Sequence, residues 1–335
     1  MQLATPLETA GGTISEREGF LVRIETDELS GIGEATPLPG WTESVDACHE
    51  ALTRAETIAE ELDWGIALAR TESVAARHGL SLALADAHAK NNGIALYRTL
   101  GQSEHVQSVP VNATLGAAKP DVLAGRAESA VEDGYRTIKL KIGTDGVEED
   151  VERVRAVRNA VGPDVDIRVD VNGAWTSEKA RRAIDGLATL DVSLVEQPLP
   201  AAQLEAHATL RNQGVDIALD ESLIAHDVAE IIEKGAADVL VLKPMVLGGP
   251  DRAFEAAMDC SRAGIEPLVS TTIDAVVARV GAVHVAAAIP DPRPAGIATA
   301  DMLATDLAPD PAPVEAGEIT VPQGSGLGFP STDQP

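Results

Sequence analysis

Two lysines share one face of a short predicted strand. In the segment TIKLKIG, a two-residue period places Lys139 and Lys141 on one side and apolar residues on the other. The chain contains seven lysines against nineteen arginines, so such a pair is unusual. A lysine is an effective general base only when its pKa falls towards neutrality, and a neighbouring ammonium group together with partial burial favours the neutral amine. We therefore interpret this pair as a candidate general base, in which one lysine lowers the pKa of the other.

Charged residues also end four further predicted strands. They follow Lys141 at successive spacings of 29, 26, 24 and 23 residues and are Asp170, Glu196, Asp220 and Lys243. Taken singly, alternating lysines usually face solvent, and a carboxylate at a strand end is usually a helix cap or a loop anchor. Their regular repetition instead predicts that they converge and neutralise one another, because burying each of them unpaired would cost several kcal/mol.

The charged set has the composition of a metal site. Three carboxylates flanked by lysines suit a divalent cation with oxygen ligands, above all Mg²⁺, with Mn²⁺ also acceptable. No His or Cys joins them, which argues against zinc. A carboxylate substrate bound to such a cation would lose its α-proton more readily, because the metal stabilises the resulting enediolate.

The elements that must position these residues alternate along the chain. Eight β-branched segments, each separated from the next by a helical pattern, begin at Val109, Thr137, Asp166, Ser193, Ile217, Asp238, Pro267 and Ala295. This alternation predicts an α/β fold with a (β/α)8 barrel of the TIM type over residues 109–299, whose active site lies at the carboxyl ends of the strands. An open doubly wound sheet is the alternative, but no glycine-rich dinucleotide fingerprint follows the first strand.

Residues 1–108 predict a separate α+β capping domain. The segments GFLVRIETD and SGIGEATPL read as a hairpin, and helices are expected over Val45–Leu62 and Val74–Asn91. The carboxyl-terminal part, from about residue 300 to residue 335, is expected to return to this domain through a loop and a short strand.

The amino-acid composition limits which classes of binding partner and which cellular compartment we expect. The formal net charge of −27, from 53 acidic and 26 basic residues, repels nucleic acid and anionic lipid, so we expect a small-molecule carboxylate substrate instead. The two cysteines, Cys48 and Cys260, lie within helical patterns and are expected to be buried thiols in a reducing cytosol. The amino terminus lacks signal-peptide features, and the longest apolar run, Ala275–Ile289, is too short to span a bilayer. We therefore expect a cytoplasmic protein, and whether it forms a homo-oligomer stays open.

The acidic excess is spread along the whole chain, which we interpret as adaptation to a salty cytoplasm. We expect the melting temperature to rise between low salt and molar KCl, because the Debye length shrinks to about 3 Å at 1 M salt and self-repulsion is screened. Thermal unfolding across a KCl series measures this. A higher melting temperature at low salt would identify an ordinary acidic protein.

The strand-end motifs KLK, DVN, VEQP, LDES and LKP together resemble the enolase superfamily, in which a Lys or His base works with Mg²⁺. The pattern is most similar to the muconate-cycloisomerase subgroup, with lysines on the second and sixth strands and no strand-seven His of the mandelate-racemase type. Within that subgroup, GIGEATPLPGW, IRVDVNGAW, ALDES, VLKPMVLGG and VSTTID resemble the o-succinylbenzoate synthases.

The resemblance implies a role for each site residue. The three carboxylates would bind Mg²⁺, Lys141 would remove the α-proton and then protonate the departing hydroxide, and Lys243 would stabilise the enediolate as a cation. Lys139 would hold the substrate carboxylate and lower the pKa of Lys141, and Arg168 matches the family's arginine two residues before the first metal ligand. Glu221 would orient a neighbour. The remaining substrate contacts are expected from Asn172, Ser270, Thr271, Thr272 and Thr114.

The resemblance also implies lid segments, Gly11–Arg17 and Leu38–Trp41, that exclude water. Trp41 could equally pack between the domains. Two departures from the family pattern stand out: Asp274 occupies a position that is usually Glu, and the segment GIATADM lacks the paired aspartates expected of dipeptide epimerases.

The implied reaction is the syn dehydration of 2-succinyl-6-hydroxy-2,4-cyclohexadiene-1-carboxylate to o-succinylbenzoate in menaquinone biosynthesis. An N-acylamino acid racemase, with Lys141 and Lys243 as opposed bases, and a muconate-type cycloisomerase share the same motifs and stay open. A Schiff-base aldolase would leave the carboxylates without a role. A non-catalytic, metal-stabilised scaffold would need the metal ligands but neither lysine.

Overall fold

The amino-terminal part of the chain begins with two antiparallel hairpins. The structure, a computed structural model, describes residues 1–9, 12–26 and 29–330. The four strands are β1 (Gln2–Thr9), β2 (Gly12–Glu16), β3 (Phe20–Glu25) and β4 (Ser30–Ala35). Strands β3 and β4 pair continuously from Phe20 opposite Ala35 to Glu25 opposite Ser30, which confirms the predicted hairpin.

The segment Gly11–Arg17, predicted as a lid loop, is mostly a strand. Gly11 lies outside the described residues, and the following five residues form β2, paired with β1. The side chain of Ile14 packs in an apolar cluster with Leu3 and Leu303. Burial of this apolar surface stabilises the hairpin, which the loop interpretation overlooked.

Four helices follow the hairpins. They are α1 (Val45–Glu61), α2 (Trp64–Arg70), α3 (Val74–Asn91) and α4 (Leu96–Thr99). The side chain of Ser44 accepts the Ala47 N–H at 3.2 Å and so caps α1. The first turn of α3 is capped from a distance, because the Glu43 carboxylate accepts the N–H groups of Ala75 and Ala76 at 3.1 and 2.9 Å. Both long predicted helices are confirmed, with α1 one residue shorter than expected.

Glycines in β4 let helix α3 lie directly against the hairpin. A Cβ on Gly31 would stand 2.1 Å from the Ala83 carbonyl oxygen, and one on Gly33 would stand 2.0 Å from the Gly79 carbonyl oxygen. Any side chain at either position would push the helix away from the sheet. The motif GIG therefore fixes how closely α3 packs on the amino-terminal hairpin.

The barrel follows as a run of short parallel strands. The strands from the predicted first segment onward are β5 (Ser108–Pro110), β6 (Ala113–Leu115), β7 (Thr137–Lys141), β8 (Asp166–Asp170), β9 (Val192–Glu196), β10 (Asp216–Leu219), β11 (Val239–Leu242) and β12 (Glu266–Val269). Seven of them, β6 to β12, form one parallel sheet in chain order. This confirms the α/β barrel, with charged residues at the carboxyl ends of its strands.

Nine helices accompany these strands within the described part of the chain. They are α5 (Pro120–Glu132), α6 (Val147–Val161), α7 (Ser177–Ala188), α8 (Leu204–Ala208), α9 (Ser222–Ala225), α10 (Val228–Lys234), α11 (Pro244–Leu247), α12 (Pro250–Arg262) and α13 (Val276–Ala288). Among the residues that the structure describes, at least one helix stands between each pair of consecutive sheet strands, as the long crossover connections of a parallel sheet require.

The eighth predicted strand closes the ring without forming a regular strand. Ala295 makes a single parallel bridge to Val111, and Gly296 makes one to Ser270, so this segment touches both edges of the seven-stranded sheet. Three prolines, at positions 290, 292 and 294, precede it. Proline cannot donate to a ladder, which explains why only isolated bridges form here.

The first predicted strand divides between two sheets. Its start, β5, pairs antiparallel with β14 (Glu318–Thr320), which also pairs with β13 (Val314–Glu315). Its end, β6, pairs parallel with β7. The carboxyl-terminal chain therefore attaches where the capping region enters the barrel.

A buried carboxylate holds the carboxyl-terminal segment on helix α3. Asp86 accepts the N–H groups of Ile32 and Leu327 at 2.9 and 2.8 Å, and Lys90 pairs with it at 2.7 Å. This contact joins the carboxyl-terminal segment to the amino-terminal region. The division into a capping domain of residues 1–108 and a barrel of residues 109–299 stays a prediction.

Small aliphatic side chains fill the core, as the 2% aromatic content requires. Inside the barrel a compact group of buried residues consists of Leu194, Ala218, Val239, Val241 and Leu268. These side chains close the barrel interior below the charged carboxyl ends, so the site has an apolar floor. Both cysteines are buried and free, and burial raises the pKa of each thiol to about 12.

Glu34 joins the amino-terminal region to the barrel helix α13. Its carboxylate accepts the N–H groups of Ala275 and Ala278, both at 2.9 Å, and it also contacts the Thr36 hydroxyl. Burial, with a further contribution from Asp274, raises the pKa of Glu34 to about 7.

This pKa makes the stability of the junction pH-dependent. The other titratable or charged groups around Glu34 are Arg17 and His78. Because the folded state binds the proton more tightly than the unfolded chain, the stabilisation is complete below about pH 4.5 and is lost as the pH rises through about 7.

We expect the unfolding free energy of the wild type, relative to Glu34→Gln, to fall by about 3 kcal/mol between pH 4.5 and pH 8. The neutral glutamine imitates protonated Glu34 and does not titrate. Urea unfolding of both proteins across this range, at saturating Mg²⁺, measures the difference. A difference that does not change with pH would show that Glu34 stays ionised in the folded protein.

Across the described ranges, none of the helices has both the length and the apolar content needed to cross a membrane.

Candidate active site

The strand register aligns the charged residues predicted from the sequence. Lys141 pairs with Asp170 across β7 and β8, and Asp170 pairs with Glu196 across β8 and β9. Neighbouring strands lie about 4.8 Å apart, so these side chains become lateral neighbours at one end of the barrel. Asp220 and Lys243 directly follow β10 and β11 at the same end.

Lys139 lies between two of the carboxylates. Its Nζ donates to Glu196 Oε1 and Oε2 at 2.6 and 2.7 Å and stands 3.1 Å from Asp170 Oδ2. Burial alone would lower the pKa of Lys139, but Asp170 and Glu196 outweigh it and raise that pKa well above its ordinary value. These two carboxylates therefore favour the ammonium form of Lys139, and its predicted influence on Lys141 stays a prediction.

The three carboxylates need this positive charge. Burial and the nearby Asp170 raise the pKa of Glu196 to about 7. Burial also raises the pKa of Asp220, against the opposing effect of Lys243. Burial would raise the pKa of Asp170 as well, but Lys139 and Lys141 outweigh it and hold that pKa well below its usual range. Cations thus decide how much negative charge the site carries.

Lys141 is the most accessible of the three site lysines. Its side chain is 36% exposed, against 16% for Lys139 and 12% for Lys243. Its Nζ donates to Asp170 Oδ2 at 2.7 Å and to Asn172 Oδ1 at 2.9 Å. The amine therefore sits at the open side of the cluster, where a substrate could reach it.

Asn172 links Lys141 to Glu221. While its Oδ1 accepts from Lys141, its Nδ2 donates to Glu221 Oε1 at 2.8 Å. The amide thus orients the amine and is itself oriented by the carboxylate, as expected of Glu221. The predicted contact of Asn172 with substrate stays a prediction.

Lys243 lies across the ring from Lys141, four strands further along the sheet. Its Nζ donates to Asp220 Oδ2 at 2.6 Å and stands 3.7 Å from the centre of the Trp41 ring. Asp220 Oδ1 is buried and has no hydrogen-bond partner within the described part of the chain. Lys141 and Lys243 therefore stand on opposite sides of the carboxylate cluster.

The turns that follow β8 and β9 have unusual backbone conformations. Asn172 and Gln197 have φ values of 47° and 41°, the left-handed region that non-glycine residues rarely enter. Such strain persists only where surrounding contacts over-determine it, and it is common at functional sites.

Gln197 is a site residue that sequence reasoning did not single out. Its Oε1 accepts the N–H groups of Asp220 and Ser222 at 2.9 and 3.1 Å, which fixes the backbone at the third carboxylate. The motif VEQP contains it, but no spacing rule indicates that a glutamine after one strand would hold the end of the next.

The predicted hydroxyl contacts lie at the same end of the barrel but pair with protein groups. Ser270 Oγ donates to the Gly296 carbonyl at 3.1 Å, and Thr271 Oγ1 stands 3.1 Å from Thr299 Oγ1. The Thr272 hydroxyl donates to the carboxylate of Asp274. On the first strand, Thr114 Oγ1 accepts from Asn112 Nδ2 at 3.0 Å. Their contacts with a substrate stay predictions.

Arg168 is directed towards the opposite end of the barrel. Its guanidinium donates to Asp166 Oδ2 at 3.0 Å and to the Pro294 carbonyl at 2.8 Å. Burial lowers its pKa, partly offset by Asp166. Since Asp166 is the first residue of β8, the arginine head lies below the carboxylates and away from Lys141 and Lys243. A direct catalytic role for Arg168 stays a prediction.

The donor set fits a divalent cation, although the side chains do not form a ready cage. Among the described residues, no three His, Cys, Asp or Glu side chains are gathered around one point. Lys139 instead lies between Asp170 and Glu196, and Lys243 lies on Asp220. Oxygen donors suit Mg²⁺, all three carboxylates are buried, and Asp220 Oδ1 accepts no hydrogen bond from any residue that the structure describes. A bound cation would compete with the lysines for these oxygens.

Two family models match the chain. The one described as Enolase C-terminal domain-like matches residues 122–334, and the one described as MenC, N-terminal domain, matches residues 7–90.

Several curated proteins are similar over most of the chain. The hydrophobic dipeptide epimerase of Enterococcus faecalis is 34% identical over 305 residues, covering 86% of this chain and 84% of that protein. The N-succinyl-L-Arg/Lys racemase of Bacillus cereus is 32% identical over 307 residues, covering 85% of this chain and 81% of that protein. The o-succinylbenzoate synthase of Thermobifida fusca is 39% identical over 208 residues, covering 61% of this chain and 63% of that protein.

A solved structure extends the likeness to the fold. The Enterococcus faecalis dipeptide epimerase, complexed with Mg and the dipeptide L-Leu-L-Tyr, matches with a TM-score of 0.88 at 31% identity. The match covers 98% of this chain and 96% of that chain, so it includes the amino-terminal hairpins and the carboxyl-terminal return.

Proposed function

Because the chain belongs to the enolase superfamily, we propose that it abstracts the proton α to a substrate carboxylate and that it is an o-succinylbenzoate synthase. The reaction would be the syn dehydration of 2-succinyl-6-hydroxy-2,4-cyclohexadiene-1-carboxylate, a step of menaquinone biosynthesis. The highest identity among the three relatives compared, to an o-succinylbenzoate synthase, and the MenC-type amino-terminal match support this assignment.

The observation that carries the proposal is the placement of two lysines on either side of three buried carboxylates. Lys141 is the accessible amine on one side, and Lys243 is a nearly buried ammonium on the other. Lys139 supplies a fixed positive charge between them. This arrangement can take a proton from one face of a bound acid and hold the negative charge that results.

The lysines would divide the reaction between them. Lys141 Nζ accepts the α-proton as the C–H bond breaks, and the electron pair moves into the carboxylate to give an enediolate. When the C–O bond breaks, the same ammonium returns its proton to the departing hydroxide, so that water leaves and the ring becomes aromatic. Lys243 stays protonated and stabilises the enediolate.

Asp170, Glu196 and Asp220 would hold the divalent cation, with Mg²⁺ the first candidate and Mn²⁺ the second. The bound cation supplies Lewis-acid stabilisation of the negative charge that develops on the substrate carboxylate. Lys139 would hold that carboxylate from the other side. Trp41 lies on the turn of residues 38–42, which we call the capping turn. This turn would exclude water from the site, which strengthens these electrostatic contacts.

A second candidate function is racemisation of N-acylated amino acids. The similarity to an N-succinyl-L-Arg/Lys racemase supports it, and so does the opposed placement of Lys141 and Lys243, since racemisation needs a proton acceptor on each face. The likeness to dipeptide epimerases supports epimerisation less well, because the strand-eight segment GIATADM lacks the expected paired aspartates.

A direct comparison of substrates tests the assignment. Purified protein with Mg²⁺ would be assayed on the cyclohexadiene carboxylate, on N-succinyl amino acids and on L-Leu-L-Tyr, and kcat/KM compared. We expect the highest value for the dehydration. If kcat/KM for racemisation exceeds kcat/KM for the dehydration, the protein is to be assigned as a racemase and not as a synthase.

The variant Lys243→Arg separates the two mechanisms. Arginine keeps a cation at this position, but its pKa is too high for it to accept a proton at neutral pH. A synthase in which residue 243 acts only as a cation should keep part of its activity. Racemisation should be lost, because one of its two bases is gone.

A further inference from the structure

The capping turn reaches into the barrel and touches a catalytic lysine. Trp41 lies on the turn between β4 and α1, about 200 residues before Lys243 in sequence. Its ring centre stands 3.7 Å from Lys243 Nζ, well within the range of about 6 Å over which an ammonium is attracted to the negative face of an aromatic ring. The lysine side chain is only 12% exposed, so solvent weakens this attraction little.

Among the residues that the structure describes, the Lys243 ammonium has one anionic partner and one aromatic partner. Asp220 Oδ2 accepts from Lys243 Nζ at 2.6 Å, and the Trp41 ring covers another side of the same group. A divalent cation at the carboxylates would draw on Asp220 and compete with Lys243 for it. The Trp41 ring does not compete for the cation's oxygen ligands, so it is the contact that Lys243 keeps.

The turn that carries Trp41 is braced by hydrogen bonds. The Trp41 N–H donates to the Leu38 carbonyl at 2.9 Å, and the Leu38 N–H donates to Thr42 Oγ1 at 2.8 Å. Gly40 has a φ of 95°, a conformation that other residues adopt only with strain. Arg17 holds the approach to the turn by donating to the carbonyl groups of Thr36 and Pro37.

Helix α3 fixes both partners of the contact. At its start, the backbone N–H groups of Ala75 and Ala76 bind Glu43, which follows the Trp41 turn by one residue. One residue further along, Arg77 pairs with Asp251 and also donates to the carbonyl of Gly248, the residue that ends helix α11, which begins directly after Lys243. The indole and the ammonium are therefore positioned from the same rigid element.

We propose that the face of Trp41 holds the Lys243 ammonium in its working position through a cation–π contact, so that the capping region completes the barrel's active site. Trp41 is then a positioning residue, acting through Lys243. The inference rests on the proposed function for its catalytic consequence, while the contact itself can be tested without any substrate.

The contact is tested by ¹⁹F NMR on protein labelled with 5-fluorotryptophan. The chain has three tryptophans, at positions 41, 64 and 175, and the Trp41 resonance is assigned by its loss in Trp41→Phe. Replacing the ammonium by a thioether of similar length, in Lys243→Met, should shift the Trp41 resonance and leave the other two in place. Saturating Mg²⁺ should preserve the Lys243-dependent shift. A Trp41 resonance that does not respond to Lys243→Met would overturn the proposal.

The catalytic consequence is tested with increasingly fluorinated tryptophans. Each fluorine withdraws electrons from the ring face and weakens its attraction for a cation, with little change in shape. We expect kcat to fall stepwise, by about twofold to fivefold per fluorine, with KM nearly unchanged. The same labels in Trp41→Phe, where only positions 64 and 175 carry fluorine, should give no trend.

A kcat that is flat across the fluorine series would show that Trp41 only packs against the site, and would overturn its positioning role. Failure of the proposed function looks different. If the wild type turns over none of the three substrates tested above, the assignment as a synthase falls, and the ¹⁹F response to Lys243→Met alone decides whether the contact exists.

Discussion

Replacing Lys141 by alanine is expected to lower kcat by about 10²- to 10⁴-fold, the range that a positioned general base typically contributes. The amine that takes the α-proton and returns it to the leaving hydroxide would be missing. KM should change little, because Lys141 contacts Asp170 and Asn172 and neither of the other lysines depends on it for a partner.

Matched measurements separate loss of the base from loss of structure. Lys179, exposed on helix α7, serves as the control, and Lys179→Ala should keep wild-type turnover. Because the Lys141 side chain is 36% exposed, a small amine such as methylamine should reach the space in Lys141→Ala and restore part of the rate. Near-wild-type turnover in Lys141→Ala would remove this residue as the base and the mechanism with it.

The second large effect is expected at the metal ligands. Glu196→Gln should lower kcat by about 10²- to 10³-fold, since a metal supplies several kcal/mol of charge stabilisation in the transition state. It should also weaken Mg²⁺ binding, because a neutral amide oxygen replaces a carboxylate that accepts two hydrogen bonds from Lys139. The change keeps the shape of the side chain, so the fold should persist.

Metal-linked stability provides a readout of this site that does not depend on activity. Mg²⁺ at 100 times its dissociation constant should add about 2.7 kcal/mol to the unfolding free energy of the wild type. At the same concentration Glu196→Gln should gain much less. Glu221→Gln is the matched control, because this carboxylate lies beside Asp220 and binds Asn172, and it should keep the full gain. Equal gains in wild type and Glu196→Gln would show that Mg²⁺ binds elsewhere.

The position of Lys139 between two carboxylates predicts a free-energy cost for metal binding. Lys139 neutralises Asp170 and Glu196 in the structure described, so a cation must displace part of this contact. Affinity for Mg²⁺ is therefore expected to depend on how easily Lys139 turns towards a substrate carboxylate. Binding of substrate and of metal should consequently favour each other, as linkage requires.

Much of the site could be predicted from the sequence alone, because the charged residues recur at regular spacings along the chain. Side chains alternate between the two faces of a strand, and one βα unit separates each charged residue from the next. Lys141, Asp170 and Glu196 must therefore be lateral neighbours, and the strand register confirms this pairing. Parallel strands joined by right-handed crossovers leave little freedom in how such residues meet. The barrel and its charged end were therefore predictable from local patterns.

Only the tertiary structure decided the contacts that join distant segments. Three such contacts depend on how side chains from different elements are oriented. The ring of Trp41 packs on Lys243, Gln197 binds the backbone N–H of Asp220, and Arg168 is directed away from the site. Where a strand was predicted at Ala295, the preceding prolines leave only isolated bridges. Where a loop was predicted around Ile14, apolar packing of that residue supports a strand. Sequence periodicity determines which residues share a face, whereas packing between segments far apart in the chain determines what each of those residues touches.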